Sequence, residues 1–311
     1  MRIVFMGTPD FAVESLKVLV ENNYEVVGVV TMPDKPAGRG HKIQYSPVKN
    51  YALEHNLPLL QPEKLKDDGF LEELRALKAD LQIVVAFRML PEVVWNMPEY
   101  GTFNLHASLL PQYRGAAPIN WAIINGEKET GATTFFLTHE IDTGKIILQE
   151  KIPVTETDNA GSVHDKLMVM GAGLVKRTVD LLIAGQTDAI DQSQFIKPET
   201  ELTAAPKIFK ETCEIDLNKG VEEVYNFIRG LSPYPAAWVN LRFPNQEEQI
   251  TLKIFETEKE FAEHTYQAGE VITDGKRQAK IALKDGFIVL KSVQAPGKKR
   301  MEIGEMLRGM R

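Results

Sequence analysis

Apolar residues in the first half of the chain fall into short runs that alternate with stretches of helical spacing. Runs rich in β-branched and aromatic residues predict strands at 3–6, 25–31, 80–87, 102–106 and 133–138. Apolar residues recurring every three or four positions predict helices at 11–21, 46–54, 69–78 and 162–183. Because strands that alternate with helices indicate a parallel sheet covered on both faces, this half is interpreted as a doubly wound, mostly parallel, Rossmann-like α/β domain.

The pattern changes after the long predicted helix. Residues 186–206 are rich in Asp, Gln, Thr, Pro and Ala and have no clear period, which is typical of a linker. Beyond it, a helix is predicted at 221–230 and short strands at 238–243, 249–255, 269–273, 279–282 and 287–293. Short strands separated by turns favour a small β-barrel, with the OB-like type as one candidate. We therefore expect a first domain at 1–185, a linker at 186–206 and a β-barrel domain at 207–311.

The amino-acid composition limits the cellular compartment in which the protein is expected and the kinds of metal site it can have. The 311-residue chain has one cysteine, Cys213, which excludes an intrachain disulfide and a cysteine-based zinc site and suits a reducing cytosol. The apolar run before Pro9 is too short for a signal peptide, and no apolar stretch approaches the ~20 residues of a membrane helix. We expect a cytoplasmic protein without membrane contacts.

The charge is unevenly distributed. A net charge of −7 argues against a general nucleic-acid coat, yet residues 276–300 contain eight basic residues against Asp285 alone. Such a patch can bind a phosphate backbone. It can equally be a solvated strand face whose lysines protect a sheet edge, and both interpretations stay open.

The turn after the first predicted strand excludes one large class of enzyme. Residues 7–10, Gly-Thr-Pro-Asp, lack the Gly-x-Gly-x-x-Gly spacing of a dinucleotide site, and Pro9 has no N–H to offer a pyrophosphate. A nicotinamide-dependent dehydrogenase is therefore disfavoured. The chain also has no Walker loop, no His-Glu-x-x-His and no Gly-x-Ser-x-Gly.

Residues 101–118 carry the most specific pattern. Asn104 and His106 are two apart on a predicted strand, so both side chains project from one face, at the carboxyl end where doubly wound sheets bind ligands. Residues 108–111 then leave the strand as a loop whose backbone can hydrogen-bond a flat heterocycle. A single histidine at a strand end is usually structural, but the Asn-x-His pair followed by this loop and Tyr-Arg-Gly favours a catalytic site.

A second candidate is the Asp-Thr-Gly sequence at 142–144, which follows the predicted strand at 133–138. By itself this sequence indicates only a turn. Its value depends on whether the fold brings Asp142 to His106.

Together, the segments 5–12, 33–40, 104–118, 142–144 and 228–237 resemble the methionyl-tRNA formyltransferase family. The resemblance spans both expected domains, and the 104–118 motif is highly specific to enzymes that use 10-formyltetrahydrofolate. It implies an amino-terminal formyltransferase domain, a small carboxy-terminal barrel and no metal. It also implies catalytic roles for Asn104, His106 and Asp142, and folate contacts by Ser108, Leu109, Leu110 and Pro111.

The sequence departs from the family in one segment. Residues 85–91 match a folate-pocket stretch that usually carries Tyr-Gly where this chain has Phe87-Arg88. If glycine there allows close backbone approach, Arg88 tilts the loop or reshapes the pocket. Neither residue is therefore assigned to the site.

Two basic segments suggest an RNA substrate. Residues 32–45 form a Gly/Pro-rich loop after the second strand, and a mobile loop there is expected to enter the acceptor end of a tRNA, with Arg39 and Lys42 supplying positive charge. Lys298, Lys299 and Arg300 in the second domain are expected to bind phosphates. The expected partners are initiator methionyl-tRNA and the co-substrate 10-formyltetrahydrofolate, bound by a monomer.

The expected function is transfer of the formyl group of 10-formyltetrahydrofolate to the α-amino group of methionyl initiator tRNA, for translation initiation. The alternative is a folate-dependent formyltransferase acting on a sugar-nucleotide amine or on glycinamide ribonucleotide, which shares the Asn, His and Asp residues. The loop sequence Pro-Ala-Gly-Arg-Gly at 36–40 and the basic second domain favour the tRNA substrate. An RNA-binding protein with an inactive catalytic domain is disfavoured because Asn104, His106 and Asp142 are intact.

Overall fold

The computed structural model describes residues 1–37, 42–196, 201–244 and 246–310. The chain divides into two compact units. The first comprises residues 1–115, 130–152 and 164–204, and the second comprises 116–129, 153–163 and 205–311. Among the described residues, no helix combines the length and the apolar character needed to cross a membrane.

The first unit is built on a seven-stranded sheet. The first ten strands in chain order are β1 (Arg2–Gly7), β2 (Glu25–Val30), β3 (Lys35–Ala37), β4 (Lys42–Gln44), β5 (Leu59–Leu60), β6 (Leu81–Val85), β7 (Thr102–His106), β8 (Arg114–Gly115), β9 (Glu129–Phe136) and β10 (Ile146–Pro153). The sheet order is β10-β9-β7-β6-β1-β2-β5, and β3 pairs with β4 in a separate hairpin. The pairs from β5 to β7 are parallel, whereas β9 runs antiparallel to β7.

The helices in this half are α1 (Asp10–Glu21), α2 (Pro47–Glu54), α3 (Asp68–Ala76), α4 (Glu92–Trp95), α5 (Pro118–Ile124) and α6 (Ala160–Ile183). Side chains cap the first turns of α2 and α3. Ser46 Oγ accepts from the Lys49 N–H at 3.1 Å, and Asp67 Oδ2 accepts from the Phe70 N–H at 3.1 Å. All five residues of β6 are buried, as expected for a parallel strand covered on both faces. The predicted doubly wound, mostly parallel α/β fold is confirmed.

The structure of the first 200 residues differs from the strand and helix predictions in several places. Helix α5 and strand β10 were not predicted, because a seven-residue helix and a partly exposed edge strand give weak periodic signals. A 3₁₀ helix, Gln192–Phe195, lies in the stretch interpreted as linker. The strand predicted at 133–138 is antiparallel to its neighbour rather than parallel.

The second unit holds an antiparallel sheet in the order β12-β13-β16-β15-β14, with β17 also paired to β16. Its elements, with the short strand and 3₁₀ helix before them, are β11 (Ala204–Ala205), the 3₁₀ helix Glu211–Cys213, α7 (Val221–Leu231), β12 (Ala237–Leu241), β13 (Ile250–Phe261), β14 (Val271–Thr273), β15 (Ala279–Leu283), β16 (Gly286–Gln294), β17 (Met301–Glu302) and α8 (Ile303–Gly309). The β13–β16 register shifts on either side of Glu256, and such irregularities bend a strand. The result is a curled half-barrel, consistent with the barrel-like second domain expected.

The core of this half-barrel is apolar and continuous. One face of α7 contributes Val221, Val224, Ile228 and Leu231, which share a buried cluster with residues of β13, β15 and β16. Because α7 has apolar residues at helical spacing and the strands alternate, one helix can cover the concave face of the sheet.

Helix α5 also belongs to the second unit, although it precedes residue 207. Asn120 Nδ2 donates to the Gly230 carbonyl of α7 at 2.8 Å. A Cβ on Gly230 would lie 2.6 Å from Ile124 Cγ1, so glycine is required for this close approach. A truncation at residue 206 would therefore expose α5. The boundaries expected at 185 and 207 stay predictions.

We predict that Cys213 resists alkylation in the folded protein. Its side chain is 1 % exposed, and burial raises the pKa of its thiol, so little thiolate is present or accessible. Labelling with iodoacetamide followed by mass spectrometry should be slow in buffer and complete in guanidinium chloride. Equal labelling rates under the two conditions would show that the second unit does not pack as described.

Candidate active site

Strand β7 places Asn104 and His106 on one face of the sheet. Asn104 lies opposite Val84 of β6 and Phe135 of β9, and His106 is the last residue of the strand. The His106 Nε2–H donates to the Tyr113 carbonyl at 2.8 Å. Because a carbonyl only accepts, Nε2 carries the proton and Nδ1 is the nitrogen left for chemistry.

The Asp142 carboxylate faces this free nitrogen. Asp142 Oδ2 lies 3.8 Å from His106 Nδ1, and the two side chains are 12 % and 7 % exposed. The same oxygen accepts from the Gly115 N–H at 2.9 Å. The separation is longer than a direct hydrogen bond but within the distance of an ion pair, so the carboxylate faces the nitrogen without being bonded to it.

In a parallel sheet, the carboxyl ends of neighbouring strands lie at the same edge, but the strand that leads to Asp142 is antiparallel to β7. Since β9 is antiparallel to β7, its last residue Phe136 pairs with Phe103 and not with His106. The loop at 137–145 must turn back to bring Asp142 to the imidazole. Gly144 makes this turn possible, because a Cβ there would lie 1.7 Å from the Phe136 carbonyl oxygen.

A buried glutamine that was not predicted as a site residue holds this turn. Gln192 Nε2 donates to the carbonyls of Asp142 and Gly144, each at 2.8 Å, and its side chain is 2 % exposed as a residue. Its Oε1 accepts from Arg114 Nε at 3.2 Å and Nη2 at 2.6 Å. Asp191 caps the 3₁₀ helix that contains Gln192, because its carboxylate accepts from the Ser193 N–H. A cap of this kind can be predicted from the sequence, but the contact of Gln192 with the backbone of Asp142 cannot.

The loop at 108–111, expected to contact folate, is fixed from the neighbouring strands. Thr133 Oγ1 donates to the Ser108 carbonyl at 2.7 Å and accepts from the Leu110 N–H at 3.2 Å. Gln149 Nε2 donates to the Leu110 carbonyl at 2.9 Å. These backbone groups are already hydrogen-bonded, so the loop offers a rigid shape rather than a row of free donors. Leu109 is half-buried and Pro111 is buried.

Arg88, the departure from the family pattern, is turned towards backbone. Its guanidinium donates to the carbonyls of Pro62 and Glu63, the latter at 2.8 Å. Desolvation by burial lowers the pKa of Arg88. The residue thus ties the end of β6 to the segment that follows β5.

The residues expected to bind tRNA are only partly described. Arg39 lies outside the described residues, and Lys42 is the first residue of β4. Lys298 and Lys299 are exposed after β16. Arg300 is engaged by Glu256 and donates to Ser292 Oγ at 2.7 Å.

Much of the basic stretch at 276–300 is neutralised by neighbouring glutamates. Lys280 pairs with Glu260 at 2.5 Å, Lys284 with Glu223 at 3.6 Å and Lys291 with Glu258 at 3.0 Å. These pairs, with Arg300 and Glu256, favour the interpretation of this stretch as a solvated sheet face over a continuous phosphate-binding patch.

Within the described ranges, no group of three or more His, Cys, Asp or Glu side chains is arranged to hold a metal ion. The site as described consists of an imidazole, a carboxylate and an amide on rigid backbone. Such a set can move protons and stabilise a developing negative oxygen, which are the requirements of acyl transfer.

Comparison with known proteins agrees with this chemistry. The family model described as formyl transferase matches residues 1–179, and the one described as formyl transferase, C-terminal domain, matches residues 207–311. The chain therefore has the fold of a formyl-transferring enzyme and belongs to that class. A methionyl-tRNA formyltransferase of Bacteroides thetaiotaomicron is 65 % identical over 311 residues, covering 100 % of this chain and 96 % of that protein. One of Flavobacterium psychrophilum is 54 % identical over 311 residues, with the same coverage. The chain belongs to the methionyl-tRNA formyltransferase family.

Solved structures share the fold at much lower identity. The sugar 3N-formyl transferase WlaRD has a TM-score of 0.64 at 21 % identity, covering 96 % of this chain and 99 % of that one. HypX from Aquifex aeolicus, solved in complex with tetrahydrofolic acid, has a TM-score of 0.62 at 19 % identity, covering 99 % of this chain and 47 % of that one. At these identities the likeness concerns the fold alone.

We predict that Gln192→Ala lowers both stability and turnover. The change removes two hydrogen bonds to the turn at 142–144 and leaves the Arg114 guanidinium without its acceptor, which is expected to cost about 1–3 kcal/mol. Thermal unfolding and formyl-transfer turnover measure the two effects. Gln194→Ala, an exposed glutamine two residues away, is the matched control. Identical behaviour of the two variants would contradict the role given to Gln192.

Proposed function

We propose that this protein transfers the formyl group of 10-formyltetrahydrofolate to the α-amino group of methionyl initiator tRNA, as a monomer in the cytoplasm. The observation that carries the proposal is the approach of Asp142 Oδ2 to His106 Nδ1 at 3.8 Å, on the face of β7 that also carries Asn104. The full-length relatives at 54–65 % identity support the choice of substrate.

Asn104 is the proposed stabiliser of the transition state. When the amine attacks the formyl carbon, negative charge develops on the formyl oxygen, and the Asn104 amide can donate to it. The Oδ1 of Asn104 is buried without a hydrogen-bond partner among the described residues, and a buried polar atom normally has one. An N–H of the attacking amine would supply that partner. A donor of this kind typically contributes about 2.7–4 kcal/mol.

His106 and Asp142 divide the proton transfers in this proposal. Because Nε2 is held by the Tyr113 carbonyl, the proton that His106 exchanges lies on Nδ1. The new bond joins the amine nitrogen to the formyl carbon, and the bond from that carbon to the folate nitrogen breaks. Asp142 accepts the proton lost by the amine, directly or through a water molecule, and His106 Nδ1–H protonates the departing nitrogen.

We assign the folate co-substrate to the rigid loop of Ser108, Leu109, Leu110 and Pro111. The loop leaves the carboxyl end of β7, where doubly wound sheets bind their ligands. Thr133 and Gln149 hold its backbone from β9 and β10, which preorganises the shape presented to a flat ring. Arg39, Lys42, Lys298 and Lys299 remain the proposed contacts to tRNA. Arg300 is a weaker candidate because Glu256 already pairs with it.

We predict that His106→Ala, Asp142→Asn and Asn104→Ala each lower kcat far more than they raise the KM for charged tRNA. For Asn104→Ala a loss of about 10²–10³ in kcat is expected, the usual effect of removing one oxyanion donor. Steady-state formylation of charged initiator tRNA measures both constants. His55→Ala, at an exposed histidine on the end of α2, is the control and should match the unaltered protein. Near-normal turnover of His106→Ala would refute the assignment.

The choice of amine is tested by competition. With 10-formyltetrahydrofolate in excess, the protein should formylate charged initiator tRNA and leave an amino-sugar nucleotide and glycinamide ribonucleotide unmodified, as read by mass spectrometry. Formylation of either small amine at a kcat/KM equal to that for tRNA would replace the proposed substrate.

A further inference from the structure

The second unit contains a cavity of about 690 Å³ that the proposed catalytic chemistry does not use. Every lining residue belongs to this unit. Six of them carry the argument: the lysines Lys207, Lys210 and Lys253 and the aromatic residues Phe209, Tyr234 and Trp238. The volume lies within the range of small-ligand sites, ~300–1,000 Å³.

The described lining residues give the cavity a positive charge. Among the described residues that line it, none is an aspartate or a glutamate. Among the described parts of the chain, none of its three lysines forms an ion pair, unlike Lys280, Lys284 and Lys291 on the sheet face. A protein of net charge −7 thus keeps three lysine charges converging on one concavity. This distribution fits an anionic ligand.

The aromatic side chains are exposed where a core residue would be buried. Tyr234 is 83 % exposed and Phe209 is 53 % exposed. Trp238 is half-buried, and its Nε1–H donates to the Lys210 carbonyl at 2.8 Å, which fixes the plane of the indole. Exposed rings beside lysines are the combination with which proteins stack and hold unpaired bases.

The cavity is preformed by rigid elements. Trp238 lies in β12, paired to Lys253 of β13, so one aromatic and one lysine are fixed on adjacent strands. Cys213 forms a buried, uncharged part of the lining. Asn120 of α5 completes the wall and is itself fixed to the Gly230 carbonyl. A ligand therefore meets an ordered surface, which lowers the entropic cost of binding.

We propose that this cavity binds one unpaired nucleotide of the RNA substrate, with the base stacked on the exposed rings and the adjoining phosphates held by the three lysines. The assignment rests on the proposed function, because the RNA is the tRNA that carries the reacting amine. Aromatic stacking together with uncompensated lysines selects a nucleotide over an acidic peptide, which supplies the charge but not the flat ring.

Binding is read directly through Trp238. In a full-length variant with Trp95→Phe and Trp121→Phe, Trp238 is the one remaining tryptophan. Titration with uncharged initiator tRNA, and separately with a four-residue adenylate RNA, should quench its fluorescence saturably. Adding Tyr234→Ala or Lys253→Gln should weaken that binding, and Tyr234→Phe should retain it because the ring is kept.

Kinetics separate stacking from charge. Tyr234→Ala combined with Phe209→Ala should raise the KM for charged tRNA about 5- to 150-fold with kcat retained, the ratio that corresponds to ~1–3 kcal/mol for one stacked base. Lys253→Gln should reduce the steepness of the log–log salt dependence of RNA binding by about 0.7–0.9, the loss of one phosphate contact. Lys291→Gln removes the same charge from the ion-paired sheet face and should leave that slope unchanged.

The outcomes distinguish this inference from the proposed function. Normal formylation by the unaltered protein, with no RNA quenching of Trp238 and an unchanged KM in the Tyr234/Phe209 variant, overturns the cavity assignment alone. Quenching that depends on Tyr234 and Lys253 in a protein that formylates no tRNA supports the cavity and overturns the proposed function. A Trp238 signal that follows protein concentration and ignores RNA identifies a second copy of the chain as the occupant and overturns the inference.

Discussion

The approach of the Asp142 carboxylate to the His106 imidazole depends on backbone contacts made on each side. The imidazole is oriented by the Tyr113 carbonyl, and the carboxylate is oriented by the Gly115 N–H. Both side chains are therefore positioned by the backbone of the segment that follows β7. Gln192 holds the turn from behind. The sheet positions this stretch of chain, and the sheet's buried parallel strands are what make its edge rigid enough to hold two functional groups in register.

Much of this arrangement could be predicted because its signals are local. The strand predicted at 102–106 has the same bounds in the structure, since a short apolar run with polar residues on one face admits few alternatives. The pairing of Asn104 with His106 follows from the two-residue period alone. The return of the loop to Asp142 was not predictable in this way, because it depends on β9 being antiparallel and on a carbonyl contact that only Gly144 permits. Gln192 was missed because its partners lie 48 to 78 residues away and its own segment has no periodicity.

The number of basic residues in a stretch of sequence does not predict how much positive charge that stretch presents in the folded protein. The stretch at 276–300 is strongly basic in sequence, but strand pairing sets glutamates of β13 beside the lysines of β15 and β16, and exposed pairs of this kind neutralise one another. The lysines that line a cavity without an ion pair come from two separate places in the sequence, the segment with Lys207 and Lys210 and the strand with Lys253. Only the fold brings them together with Tyr234, which lies in the segment 228–237 that carried part of the family resemblance.

The central claim is that His106 and Asp142 act as one unit in formyl transfer. A double-mutant cycle under single-turnover conditions tests it most directly, with His106→Ala, Asp142→Asn and the combined variant compared at saturating tRNA and folate. If the two side chains act together, the combined variant is about as slow as the slower single variant. Losses that multiply would show two independent contributions and would contradict the account.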